Sequence, residues 1–225
     1  MAALTADDVA QRVADVRDRI ERAGGDWQTI TLVAVTKDHA WAPTVARAAG
    51  LHDLGENRIH RIGDHEFSGD TTLRGTRWHL IGEIQRRHVR RFAKWVHLWQ
   101  TVDRIEEGDE LAAVVPGAKV LVQLNLTGEP QKHGCAPGDA PKLIDGLQRL
   151  ELDVQGLMGM GPAGDPEDAR AGFRQLVAIA EQQALPVRSI GMSDDLEVAV
   201  QEGSTMVRVG RALFGPRPDP PAARR

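Results

Sequence analysis

No tyrosine occurs among the 225 residues, and only one cysteine, Cys135, does. The missing phenol removes one of the usual acid–base side chains and leaves that work to histidine, lysine and the carboxylates. A single thiol excludes an internal disulfide and any zinc cluster built from cysteines, which suits a reducing compartment. Long apolar runs are lacking too: none approaches the ~18 residues needed to span a bilayer. The opening MAALTADDVAQRV has neither the basic start nor the apolar core of a secretory signal, so a cytoplasmic protein without a membrane partner is expected. Excess positive charge is also absent. A formal net charge of -4 argues against nucleic acid as the main partner. The basic run 86-RRHVRR-91 therefore reads as a solvated helix face, since a nucleic-acid patch would be interleaved with aromatics.

What the chain does contain is alternation. Thr5 and Asp8 have the spacing of a capping box, and Val9, Val13, Val16 and Ile20 recur at helical intervals, which predicts a helix over 5–23 ended by Gly24-Gly25. Eight apolar runs follow, at 30–37, 51–56, 78–82, 97–102, 119–126, 154–160, 187–192 and 206–210. Helical patterns lie between them at 42–50, 83–95, 104–115, 139–150, 166–183 and 194–203, and residues 67–76 read as an exposed loop. Continuous apolar strands alternating with helices describe a parallel sheet covered by helices. Eight such units close most naturally into a single (βα)8 barrel of the TIM type in the α/β class, with an extra N-terminal helix; an open doubly wound sheet is the alternative. The barrel domain is expected over 1–215. The proline-rich tail 216–225 is expected to be disordered.

In such a barrel the chemistry sits at the C-terminal ends of the strands, with phosphate often held by the loops after the last two. Ser193 follows the seventh strand, and Gly210 with Arg211 follows the eighth, opening a short helix. Small residues there let backbone N–H groups approach an anion, although the same glycines serve equally for tight turns and Ser193 for a helix cap. Lys37 ends the first strand, which closes against the eighth, so its amine is expected beside Arg208. A neighbouring cation is one way to expose a lysine lone pair for nucleophilic work; a plain solvated lysine is the other reading. Arg208 lies inside the apolar strand MVRVG and needs either an ion-pair partner or a route to the mouth. Asn57, after strand two, and Trp78 and His79, on strand three, are expected to aim at the same mouth. Trp27, Trp41, Trp95 and Trp99 read as packing.

Taken together, 32-LVAVTK-37, 55-GENR-58, 78-WHLIGEIQ-85, 123-QLNLTGEPQKHG-134, 156-GLMGMGP-162 and 190-IGMSDDLEVAVQEGSTMVRVGRALFG-215 resemble the pyridoxal-phosphate homeostasis protein family over nearly the whole chain. The resemblance implies the barrel also found in the N-terminal domain of alanine racemase, and bound pyridoxal 5'-phosphate. It implies that the cofactor is held and distributed without robust catalysis; apo forms of cofactor-dependent enzymes are the expected partners and a monomer the expected form. It further implies that Lys37 forms an imine with the cofactor, Arg208 faces the pyridine nitrogen, and Ser193, Gly210 and Arg211 hold the phosphate. Asn57, His79 and Met192 would line the ring, and Lys132 matches a lysine of the family's motif. The chain departs from the family pattern at Thr36 and Ala40, usually Ser and Pro, and at Arg86, Arg87 and His88, usually a small residue, Asn and Lys. An amino-acid racemase and a Schiff-base barrel enzyme acting on a phosphorylated substrate are the alternatives, since both also need an anion site and an amine. No metal site is expected.

Overall fold

The computed structural model describes residues 4–37, 39–129 and 131–216. Eight parallel strands close into a barrel in chain order: β1 Thr31–Val35, β2 Asp53–Glu56, β3 Arg77–Leu80, β4 Val96–Val102, β5 Lys119–Leu124, β6 Asp153–Gly159, β7 Val187–Ser189 and β8 Met206–Val209. Closure pairs β1 with β8, where Val33 stands opposite Arg208 and Ala34 opposite Val209. The closed barrel settles the choice against an open sheet. The expected disordered tail lies, apart from Pro216, outside the described residues. No helix among the described residues is long and apolar enough to cross a membrane.

The leading helix α1, Ala6–Arg22, begins as its sequence predicts: the Thr5 hydroxyl accepts from Asp8 N–H and the Asp8 carboxylate accepts from Thr5 N–H. Its buried stripe of Val9, Val16 and Ile20 packs with Leu32, Val207 and Leu213, covering the seam where β1 meets β8. The other helices are α2 Ala42–Ala48, α3 Ile59–Phe67, α4 Arg86–Phe92, α5 Ile105–Val114, α6 Ala140–Arg149, α7 Arg170–Gln182, α8 Leu196–Gln201 and the single turn α9 Arg211–Phe214. Between β2 and β3 the sequence reading differs from the fold. Residues 59–67 form α3, and the 67–76 segment contains a 3-10 turn at Thr71–Leu73 that buries Leu73. Gly63 and several charged residues weaken the helical pattern in α3, yet that glycine is what lets the helix sit against the Phe92 ring of α4.

Strand alternation sorts the barrel's two faces. Trp78, Leu80 and Trp99 pack outward with the helix layer, while Val33, Leu98, Leu121, Met158 and Met206 fill the interior. Four polar side chains on β3, β4, β7 and β8 are buried as well: His79, Gln100, Ser189 and Arg208.

Candidate functional site

A cavity of about 960 Å³ opens at the C-terminal ends of the strands. Of the sequence-predicted residues, Lys37, Met192, Ser193, Arg208, Gly210 and Arg211 line it. Lys37 is set by its neighbour: Thr36 is fully buried, its N–H bonded to Gly55 O at 3.0 Å and its hydroxyl donating to Glu56 Oε1 at 2.6 Å. The chain thus leaves β1 in a fixed direction, and the lysine at the rim follows it.

Asn57 and His79 are not on the cavity wall. His79 does face the barrel interior, but its two ring nitrogens are taken by Asp53 Oδ1 at 3.0 Å and Gln100 Nε2 at 2.8 Å. Asp53 starts β2, so this bond draws the ring toward the opposite end of the barrel from the cavity. Trp78 faces outward, stacked on His65 of α3 and donating from its indole to Glu66 at 2.7 Å.

Arg208 carries the most telling environment. Only 4% exposed, it donates from Nη1 to Ser189 O and Oγ, both at 2.7 Å, and from Nη2 to Gly159 O at 2.9 Å. All three acceptors are neutral. Burial pushes the guanidinium down to about 10, with the Asp195 carboxylate acting weakly the other way. A guanidinium has five N–H donors, so two remain for whatever occupies the cavity. A buried cation with no paired carboxylate among the described residues is costly unless an electron-rich ligand completes it.

Beside it, two loops form a cradle. After β7, Gly191 turns at a φ of +96°, where a Cβ would meet Ala199 Cβ at 2.7 Å, and the turn delivers Met192 and Ser193 to the cavity. After β8, a Cβ on Gly210 would press on Val35 O at 3.2 Å, so glycine lets the chain end lie close to β1. Ala212 N–H donates to Ser193 Oγ at 3.1 Å, tying the loops together and leaving the hydroxyl hydrogen to donate into the cavity. The N–H groups of Ser193, Gly210 and Arg211 have no acceptor among the described residues. One turn of α9 is too short for a helix dipole to weigh; what the cradle offers is its free hydrogen-bond donors, the chemistry an anion would need.

Helix α1 braces both loops, which sequence reasoning did not reveal. Arg19 donates to Ser193 O at 3.0 Å while holding Glu197 through two bonds of 2.6 and 2.7 Å, and Arg12 donates to Leu213 O at 3.0 Å. No spacing signal links residues this far apart in the chain.

Residues 7–218 match the family model for the alanine racemase N-terminal domain. A pyridoxal phosphate homeostasis protein of Pseudomonas aeruginosa is 38% identical, the match covering 94% of this chain and 95% of that one. The chain belongs to the pyridoxal phosphate homeostasis protein family. PipY of Synechococcus elongatus, solved with PLP bound, is similar in structure with a TM-score of 0.81 and 30% identity, over 92% of this chain and 100% of that one. An alanine racemase of Clostridium difficile, at 15% identity and a TM-score of 0.71, shares the fold alone, over 91% of this chain and 56% of that one.

The far rim of the cavity is built differently from the cradle. The loop after β5 is folded on Asn125, whose amide donates to Glu129 O at 2.8 Å and whose oxygen accepts from Gly128 N–H at 3.1 Å. It presents Lys132, which lines the cavity and pairs with Glu129. A small adjoining cavity of about 70 Å³ is lined by Glu83, Asp103 and Glu107 among others. Glu107 is 1% exposed, and burial pushes its carboxyl up to about 7 despite Arg104 at 2.6 Å. Cys135 is half-buried, and burial, aided by Asp103 and Asp139, pushes its thiol up to about 11, an unreactive setting. Among the described residues no group of three His, Cys, Asp or Glu is placed to hold a metal.

Proposed function

We propose that this chain holds pyridoxal 5'-phosphate at the barrel mouth through Lys37 and takes part in keeping and delivering that cofactor inside the cell. The observation that carries this reading is the placement of Arg208, a buried cation with only neutral protein acceptors, on one cavity wall with an amine and an anion cradle. The donor set fits the group. Ser193 Oγ–H and the N–H groups of Ser193, Gly210 and Arg211 suit a phosphate dianion. An Arg208 N–H suits a pyridine nitrogen that is itself an acceptor, and Met192 supplies apolar wall beside the ring. Bound there, the cofactor supplies an aldehyde that reacts with an amine and a conjugated ring that absorbs visible light. The cofactor named for a relative's structure, and the names of the curated relatives, support the same reading.

Holding rather than catalysis follows from the same residues. Arg208 would donate to the ring nitrogen and leave it unprotonated, which makes the ring a poorer electron sink. Racemisation on two faces also needs a second positioned acid–base group, and the chain has no tyrosine to provide one. His79, the histidine the sequence offered for that role, is engaged away from the cavity by Asp53 and Gln100. Delivery makes apo forms of cofactor-dependent enzymes the natural partners, with a cytoplasmic monomer as the acting form. The test is spectroscopic. The purified protein is expected to be yellow, and Lys37→Ala to lose the visible band. A pyridoxyl group found on another lysine after borohydride reduction and peptide mapping would displace Lys37. Racemisation of alanine or serine at ~1 s⁻¹ or faster, abolished by Lys37→Ala, would replace the carrier reading.

A further inference from the structure

Four buried polar side chains of the barrel interior, Arg208, Ser189, Gln100 and His79, form with Asp53 one connected series that no sequence motif announces. Arg208 Nη1 donates to Ser189 Oγ at 2.7 Å, and Ser189 Oγ bonds to Gln100 Oε1 at 2.8 Å. Gln100 Nε2 meets His79 Nδ1 at 2.8 Å, and His79 Nε2 meets Asp53 Oδ1 at 3.0 Å. The Ser189–Gln100 link joins β7 to β4, strands that are not neighbours in the sheet, so it crosses the barrel interior. Ser189 and Gln100 are fully buried, His79 is 1% exposed, and Asp53 closes the series with Arg77, which donates to it at 2.7 Å.

The two ends dictate the direction of every hydrogen bond between them. A guanidinium only donates and a carboxylate only accepts. Ser189 Oγ therefore receives from Arg208 and has its single hydrogen for Gln100 Oε1. The amide must then turn its NH2 to His79, so Nδ1 is bare and the one ring hydrogen sits on Nε2, facing Asp53. Met206 Sδ, at 3.3 Å from Gln100 Nε2, takes the second amide hydrogen and independently favours this orientation. The charged groups around His79 are Asp53 on β2 and Arg77 on its own strand, and on β4 the His97 ring lies 6.0 Å away. A fully satisfied polar series in a low-dielectric interior is stiff, and each link polarises the next. An apolar lining of equal volume would fill the space at lower cost if nothing had to be aimed.

We infer that Ser189, Gln100 and His79 are positioning residues for Arg208, holding His79 as the neutral Nε2–H tautomer and through it fixing the guanidinium edge that faces the cavity. Asp53 then closes the series as its carboxylate acceptor, orienting His79 and through it the links to Arg208. The proposal rests on the proposed function only in the identity of the ligand that Arg208 meets.

Two readouts test it on the full chain. Histidine-selective ¹⁵N NMR without any ligand, assigned with His79→Gln, is expected to show at neutral pH a protonated Nε2 and a bare Nδ1, with the Nδ1 signal moving in Gln100→Leu. Finding the Nδ1–H tautomer, or an imidazolium, would overturn the proposal. In the second readout the protein is saturated with pyridoxal 5'-phosphate and the visible band is titrated. Ser189→Ala and Gln100→Leu are each expected to move its pH midpoint in the same direction by about half a unit or more, and the double variant no further than the larger single shift. Gln100→Met replaces Gln100→Leu if the latter does not fold, as judged by its melting curve. Unchanged midpoints in folded variants would reduce the series to scaffold and sink the positioning role. If the wild-type protein develops no visible band, the cofactor reading fails, and the tautomer and its response to Gln100→Leu decide the series alone.

Discussion

On one side of the cavity, between β7 and β8, the wall presents a serine hydroxyl, backbone N–H groups with no acceptor among the described residues, Arg208, and an Arg211 paired with Asp194, and helix α1 ties its loops down through Arg12 and Arg19. Across the cavity the loop after β5, held mostly by its own Asn125, presents Lys132 and His133, and the small adjoining cavity beside it is acidic, lined by Glu83, Asp103 and Glu107. Both rims are strand ends of one barrel, so the difference lies in the loops and their braces. One side is a fixed set of donors suited to an anion. The other adjoins acidic side chains and is anchored mostly within its own loop, with one tie from Gly134 N–H to Asp103 at 3.0 Å. On the proposed function the contrast would separate retention from release, and substitutions on each side test it.

The largest effect is expected on the donor rim. Ser193→Ala removes a hydroxyl that is positioned by Ala212 N–H and that, on the proposed function, would donate to the phosphate dianion, a charge-assisted bond of about 1.5–3 kcal/mol. Cofactor affinity should fall about tenfold or more in a fluorescence titration. Equal affinities of variant and wild type would remove Ser193 from the site.

Glu107→Gln probes the acidic adjoining cavity through its pH dependence. Burial raises this carboxyl from 4.5 to about 7 in the folded protein. Between those values the native state holds a proton that the unfolded state has lost, so folding stability falls as pH rises through this window. The cost is absent below about pH 4 and complete above about pH 7, of order 2–3 kcal/mol. Glutamine keeps an acceptor for Asp103 N–H without the charge. Its stability relative to wild type, from urea unfolding, should therefore rise from pH 4 to 7 and then level off. A flat difference would mean that Arg104 keeps Glu107 ionised throughout.

Arg19→Leu tests whether the brace matters. It frees Ser193 O and Glu197 on a partly exposed helix face, so the expected loss is about threefold in affinity for pyridoxal 5'-phosphate, near 0.7 kcal/mol. Pyridoxal lacking the phosphate should bind the variant and the wild type alike. An equal loss for both ligands would show general loosening instead.

How far this contrast was legible in sequence depends on how local each part is. Lys37, Ser193, Gly210 and Arg211 each follow a strand run directly, and strand ends in a barrel converge on one mouth, so chain order alone brought them together. His79 shows the limit. Alternation says that it faces inward, but its depth is set by Asp53 and Gln100 on the two flanking strands, and neither partner stands out in sequence. The α1 brace is less legible still, since Arg12 and Arg19 look like any exposed arginines until tertiary packing sets them beside Leu213 and Ser193. Helix α3 was hidden by Gly63, whose missing side chain is a requirement of helix packing and not of helix formation.

The smallest equilibrium effect is expected at Lys132. Its pairing with Glu129 is between side chains 40% and 42% exposed, and such surface pairs contribute at most about 1 kcal/mol. Nothing on the far rim braces the lysine against the anion cradle, so Lys132→Ala should leave cofactor affinity within about twofold of wild type. Its position on the cavity wall, on the less braced side, suits a group met in passing between the bound state and solvent. The expected signature is kinetic: transfer of pyridoxal 5'-phosphate to an apo-enzyme acceptor should slow in stopped-flow measurements while retention holds. A loss of affinity as large as that of Ser193→Ala would place Lys132 among the retaining groups and erase the distinction between the rims. An unchanged transfer rate would leave it a solvated loop lysine.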